Sequence, residues 1–249
     1  QPQYIQQSET GLQEAEATFR RALKHQQGLS VDSHETRSYS RLLARTASNL
    51  GIVLQATGRL SEAEEFLQQA ITINKSLASN FPSVAAYRHE LAQRYVNLGV
   101  LRWNNDLPEE SLDSFRQASA LLEALVEDFP DVPDYQQDLA KACNNLGVLT
   151  WEAGNLSEAE QAHRLAVAVR KELVDRFPQV FSYRVQLASS YNNLALVLND
   201  AGRPDEAERA SRKAVDTTRQ LVEDDPSKPG YESQLGTSLH NLGELLLDR

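Results

Sequence analysis

Apolar side chains along this chain recur at helical spacing. Tyr135, Leu139, Leu146 and Leu149 stand at intervals of three, four and seven, lining one side of a helix. A second stripe, Leu165, Val169 and Leu173, continues until Pro178, a residue that cannot extend a helix. The pair of stripes then repeats. Asn-Leu occurs at 49–50, 97–98, 145–146, 193–194 and 241–242, always with the same step of 48. A small residue follows at Gly51, Gly99, Gly147, Ala195 and Gly243. The tyrosines at 39, 87, 135, 183 and 231 keep the same step, as do the leucines at 43, 91, 139, 187 and 235. Repetition in several columns at one period marks a repeat protein whose unit is a pair of helices.

Local signals place the helix ends. Gly58, Gly154 and Gly202 sit where the first helix of a pair should close in a left-handed residue. Asp106 occupies that place in the second unit and tolerates the conformation less well. Ser61-Glu-Ala-Glu64 and Ser157-Glu-Ala-Glu160 read as capping boxes opening the second helix. Pro108 and Pro204 suit the same start. Two small columns, Ala63, Ser111, Ala159, Ala207 and Ala70, Ala118, Ala166, Ala214, predict close contact between the paired helices. A bulky residue in either would overpack it at a cost of roughly 1–3 kcal/mol.

The register extends to both ends. Residues 11–34 read as a second-type helix without its partner, and 35–82, 83–130, 131–178 and 179–226 as four full pairs. Residues 227–249 read as a first-type helix alone. The expectation is ten helices in one quasi-one-dimensional stack over 1–249. Solenoid ends normally carry a polar cap, whereas the last helix holds Leu242, Leu245, Leu246 and Leu247. Homo-oligomerisation through the terminal helices is therefore an alternative use of the module.

The motif Asn-Leu-Gly followed by Gly-x-Leu-x-Glu-Ala and a later Ala resembles the tetratricopeptide repeat. Leu146-Gly147 matches that family's Leu-Gly, and Gly154, Ala159 and Ala166 match its turn glycine and two alanines. The likeness covers about residues 11–249. The Asn-Asn-Leu-Gly and Asn-Asn-Leu-Ala wording at 144–147 and 192–195 is similar to kinesin light chain repeats. The period of 48 is also similar to that of repeat arrays carried on some bacterial serine/threonine kinases, although no kinase motif lies in the chain. Two features depart from the family. The period exceeds the usual one of roughly 34 residues. The family's early Trp is replaced by Ala47, Tyr95, Cys143, Tyr191 and Leu239. The resemblance implies an all-α fold, a right-handed solenoid of stacked antiparallel helix pairs.

It also implies a concave groove for a protein or peptide partner. The position of Asn49, Asn97, Asn145, Asn193 and Asn241 resembles the one facing that groove, where an amide can serve a bound backbone. Bonding to the neighbouring repeat is the competing role. Helical spacing adds Ile52, Val100, Val148 and Leu196 three residues on, Trp103 and Trp151 six on, and Asn144 and Asn192 one before. The Trp pair reads either as a peptide anchor or as filling near the inter-helix turn. The column Arg45, Gln93, Lys141, Ser189, Thr237 lacks the recurrent cations a carboxylate clamp would need.

Charge and composition narrow the functions further. Lys and Arg number 25 against 35 Asp and Glu, a net −10, so clustered cations for a nucleic-acid backbone are not expected. Part of the acidic excess is Glu62, Glu110, Glu158 and Glu206 in the first turn of each second helix, where it complements the helix dipole. No run approaches ~18 apolar residues, so no membrane insertion is expected; the expected location is cytoplasmic, with a membrane tether in a missing part of the chain as the alternative. The lack of Met suggests a processed product or a segment of something longer. His25, His34, His89, His163 and His240 form no metal-binding pair and read as solvated surface groups. Cys143 falls in a packing column and reads as buried and structural. No phosphate loop or nucleophile elbow is present. The reading is a non-catalytic interaction scaffold without cofactor or metal; the alternatives are self-assembly or a regulatory region of a larger enzyme such as a kinase.

Overall fold

The computed structural model describes residues 2–27 and 35–247. Among them are ten α-helices: α1 (Pro2–Gln27), α2 (Glu35–Ala56), α3 (Leu60–Asn80), α4 (Ala85–Asn104), α5 (Pro108–Asp128), α6 (Pro133–Glu152), α7 (Leu156–Arg176), α8 (Phe181–Asp200), α9 (Pro204–Asp224) and α10 (Pro229–Leu247). The fold is all-α, with the helix pairs that the period predicts. The first helix begins at Pro2, earlier than the motif at 11 suggested; 28–34, with His34, and 248–249 lie outside the described residues.

Two compact units divide the chain, Gln1–Leu125 and Val126–Arg249. In the first, α1 packs on α2, α2 on α3 and α3 on α4, and α2 also reaches α4. In the second, each helix from α6 to α10 packs on the next, and α8 also meets α6 and α10. Leu50, Leu54 and Leu67 are among the leucines at the centre of the first unit, and Leu194, Leu198 and Leu245 lie in the core of the second.

The turn inside each pair explains where the second helix starts. Gly58, Gly154 and Gly202 have φ of +76°, +76° and +70°, and Asp106 takes the same left-handed conformation at +54°. Around them the N–H groups of Gly58 and Arg59 reach back to the carbonyls of Gln55 and Leu54. That is the double closure of a Schellman turn. Its last residue is already the N-cap of the next helix: Arg59, Asn155 or Arg203. The capping-box reading of Ser61 and Ser157 is therefore corrected. Both serines lie inside the first turn, too late to cap. In α7 the Asn155 side chain accepts from the Glu158 N–H instead.

Both small columns are buried. Ser111 Oγ donates to the Gly99 carbonyl at 2.7 Å, tying α5 to α4. Gly51 faces Leu67, Gly99 faces Phe115 and Gly147 faces His163, so closely that an added Cβ would stand under 3.0 Å from the partner side chain. Between pairs, Phe81–Tyr87, Phe129–Tyr135 and Phe177–Tyr183 meet edge to face with centroids 6.1–6.2 Å apart. This is why the Phe-Pro and Tyr columns share one period.

Candidate functional site

The candidate residues lie on the first helices of the pairs, and in the second unit these are α6, α8 and α10. Asn193 Nδ2 donates to Asn144 Oδ1 at 2.9 Å, and the Trp151 indole N–H donates to Asp200 Oδ2 at 2.6 Å, both between α6 and α8. Asn192 Nδ2 donates to Ser238 Oγ at 3.3 Å, between α8 and α10. These polar side chains form rungs between successive first helices. Asn145 and Asn241 are half-buried and make no side-chain hydrogen bond among the described residues. Val148 and Trp151 are half-buried, whereas Leu196 is 39% exposed beside Asn193.

The first unit repeats the arrangement on α2 and α4. Asn97 Nδ2 reaches Ser48 Oγ at 3.4 Å. Ile52 is 45% exposed, and Asn49, Val100 and Trp103 are half-buried. The structure thus gathers Asn49, Asn97, Val100 and Trp103 in one unit and Asn144, Asn145, Val148, Trp151, Asn192, Asn193, Leu196 and Asn241 in the other.

A small cavity of about 80 Å³ opens between α8 and α10, lined by Ser189, Asn192, Gln234, Thr237 and Ser238, with Thr218 of α9. Asn192 Oδ1 and Gln234 Oε1 are buried with no donor among the described residues. A buried acceptor left without a donor costs ~1–3 kcal/mol, whereas the Ser189 and Thr237 hydroxyls on the cavity's rim are exposed. Gln234 and Ser238 were not among the sequence candidates. Their signal was available in the register, where Glu90, Asp138 and Gln186 stand at the Gln234 position and Thr46, Arg94 and Ser190 at the Ser238 position.

The acidic column does more than match helix dipoles. Glu62 pairs with Arg59 at 2.5 Å and with Arg20 at 2.8 Å, and Glu16 pairs with both arginines. The network recurs three periods further on as Glu160, Arg164, Arg203 and Glu206. Hydrogen bonds from Arg59 and Arg203 hold Glu62 and Glu206 below the usual carboxylate range. Such exposed networks tie neighbouring second helices together at modest individual worth.

One histidine departs from the surface reading. His163 is 1% exposed, because its register partners are Leu67 and Phe115 and its ring lies on Gly147. Burial, and then the nearby charge of Arg170, push its pKa down to about 4. Arg170 is itself buried, which lowers it to about 10; it donates to the Gln186 carbonyl and to Ser190 Oγ. Cys143 is buried, as expected. Among the described residues no cluster of His, Cys, Asp and Glu could hold a metal, and no helix is long and apolar enough to cross a membrane.

Helix pairs closed by left-handed glycines and packed through small columns define a helical repeat protein. The sequence profile of the tetratricopeptide repeat matches residues 43–82, 139–178 and 187–227, so the chain carries tetratricopeptide repeats. Among solved structures, BtubC (BKLC) from P. vanneervenii is similar over 87% of this chain and 77% of its own, at 23% identity and TM-score 0.66. The nearly identical repeats of a Podosopora anserina putative kinesin light chain cover 83% of this chain and 92% of their own, at 24% identity and TM-score 0.53. MamA covers 88% and 95%, at 16% identity and TM-score 0.55. At these identities the likeness shows the fold. No curated protein matches the chain.

Proposed function

We propose that the chain is a non-catalytic interaction scaffold and that the first-helix face of its second unit binds a protein or peptide segment. The observation that carries the reading is the α8–α10 cavity. Its rim carries the exposed hydroxyls of Ser189 and Thr237, and Leu196 is exposed one turn along α8 from Asn192. A peptide lying along this face donates backbone N–H groups to the Ser189 and Thr237 hydroxyls and sets apolar side chains on Leu196 and Val148. Asn145 and Asn193 add amide contacts from α6 and α8, and Trp151, already held by Asp200, presents an oriented ring edge. Ile52, Asn49 and Asn97 offer the same chemistry in the first unit.

The test selects peptides from a random display library on the purified chain and measures their affinity for variants. Asn145→Ala with Asn193→Ala is expected to weaken a selected peptide about tenfold, on the order of 1.4 kcal/mol, with helicity unchanged. Unaltered affinity in this variant and in Leu196→Glu would remove the face from the account.

A second reading rests on α10, where Leu239, Leu246 and Leu247 are exposed, the last at 80%. Through this surface two copies would associate. Light scattering at high concentration distinguishes the readings, since a strict monomer leaves only the scaffold.

A further inference from the structure

The second unit has another concavity, on the side of α8 turned away from Asn193 and Leu196. At about 100° per residue, Tyr191, Leu194 and Leu198 lie on the opposite side of that helix. They floor a groove of about 310 Å³ walled by α7 and α9, with Val167 and Ala168 on one wall and Ala210 on the other. That size is at the lower end for ligand pockets. Four cations line it, Arg164 and Lys171 from α7 and Arg209 and Lys213 from α9, against the single carboxylate of Glu206. The chain as a whole is acidic, at −10.

Two of these cations are neutralised locally. Arg164 pairs with Glu160 and Glu206, and Lys171 with Asp175 at 2.9 Å. Arg209 and Lys213 are exposed and have no carboxylate partner among the described residues. Lys213 Nζ sits 5.6 Å from the centroid of the Tyr191 ring, over its face, so its ammonium is held beside the apolar floor.

The repeat itself shows that these charges are not needed to build a helix pair. One and two periods before Arg209 stand Gln161 and Asp113; before Lys213 stand Leu165 and Gln117. The same backbone is made there without a cation. Four periods before, Arg21 shares the Lys213 position but Ala17 stands at the Arg209 position, so the two cations occur together only here in these two columns.

We propose that this groove docks an acidic amphipathic helix of a partner. An apolar side chain enters between α7 and α9 over Val167, Ala168 and Ala210, and flanking carboxylates meet Arg209 and Lys213. The charge complementarity commits the occupant: the floor selects apolar groups and the rim selects acids. The inference is independent of the first-helix reading, because it uses the other side of α8.

The experiment follows fluorescence anisotropy of labelled helical peptides, roughly four turns long, with the full chain. The probe has Leu and Phe on one face and Glu on the other. Its controls are a twin with Lys for every Glu and a Glu/Gly peptide without apolar groups. The probe should bind, lose at least about tenfold in affinity on Arg209→Glu with Lys213→Glu, and weaken from roughly 0.05 to 0.5 M salt. Arg209→Gln with Lys213→Gln should give a smaller loss, and Asn145→Ala with Asn193→Ala none. The inference is overturned if the probe does not bind, or if the reversed-charge variant with native helicity binds it equally. It is also overturned if either control peptide binds as well, or if the asparagine variant abolishes binding.

Discussion

Gly147→Ala tests how the helices of a pair are allowed to approach. A Cβ at Gly147 would stand 2.6 Å from Nε2, 2.7 Å from Cε1 and 2.8 Å from Cδ2 of His163. The ring is buried, so it cannot swing to solvent without opening the α6–α7 contact. Overpacking costs ~1–3 kcal/mol, and three blocked ring atoms place this case near the top of that range. Alanine recovers roughly 1 kcal/mol over glycine inside a helix. The net expectation is a loss of about 2 kcal/mol, read from urea unfolding followed by far-ultraviolet circular dichroism. One period later the equivalent positions hold Ala195 and Ser211, both buried, a larger residue facing a smaller one. His163→Ser in the Gly147→Ala background should therefore make room, leaving the double variant about as stable as His163→Ser alone. Gly236→Ala is the control: nothing lies within 4 Å of its added Cβ, and it should gain ~0.5–1 kcal/mol. A Gly147→Ala protein as stable as wild type, or strictly additive double-variant energies, would show that the His163 ring does not limit the approach of α6 and α7.

Other expectations follow from the same contacts. Because burial holds His163 at about 4 against an ordinary 6.5 or so, the unfolded chain binds the proton first. Stability is intact above about pH 6.5 and falls by roughly 3 kcal/mol as the pH drops to 4. His163→Leu, which copies Leu67, should remove that share of the pH dependence; identical profiles for variant and wild type would contradict it. Asp106 holds φ +54°, which costs an L-residue ~1–2 kcal/mol, partly offset by glycine's greater freedom in the unfolded chain. Asp106→Gly should raise stability by ~0.5–1 kcal/mol, read as a higher thermal midpoint, and a lower midpoint would count against the turn assignment. Arg203→Ala removes two exposed ion pairs and should lower the thermal midpoint only slightly, and less at high salt; a salt-independent loss would point to packing instead.

Much of the architecture is legible in the chain because the period is rigid. A Pro, Tyr, Gly or Ala recurring once in every period can only be a structural position, and Asp106 was readable as a left-handed residue from the glycines in its column. What the sequence hid depends on exact helix starts and on neighbours distant in the chain. Ser157 looks like a cap until the Schellman turn places the N-cap at Asn155. His163 looks like a surface group by residue type, although Leu67 and Phe115 in its column foretold its burial. The asparagine column could be located but not partnered. Only the structure shows that Asn193 gives one amide N–H to Asn144, keeping its carbonyl oxygen and second N–H for a partner, while Asn145 makes no such bond. Gln234 was overlooked because its place beside the α8–α10 cavity depends on how two helices distant in the chain meet.

The first-helix face is tested most directly by photo-crosslinking a library-selected peptide to the full chain. Benzoylphenylalanine is placed at Ser189, on the α8–α10 cavity, or at Ala168, on the α7–α9 groove. The peptide should crosslink from Ser189, and the product should vanish with Leu196→Glu. Crosslinking from Ala168 alone, or from Ser189 undiminished by Leu196→Glu, would contradict this.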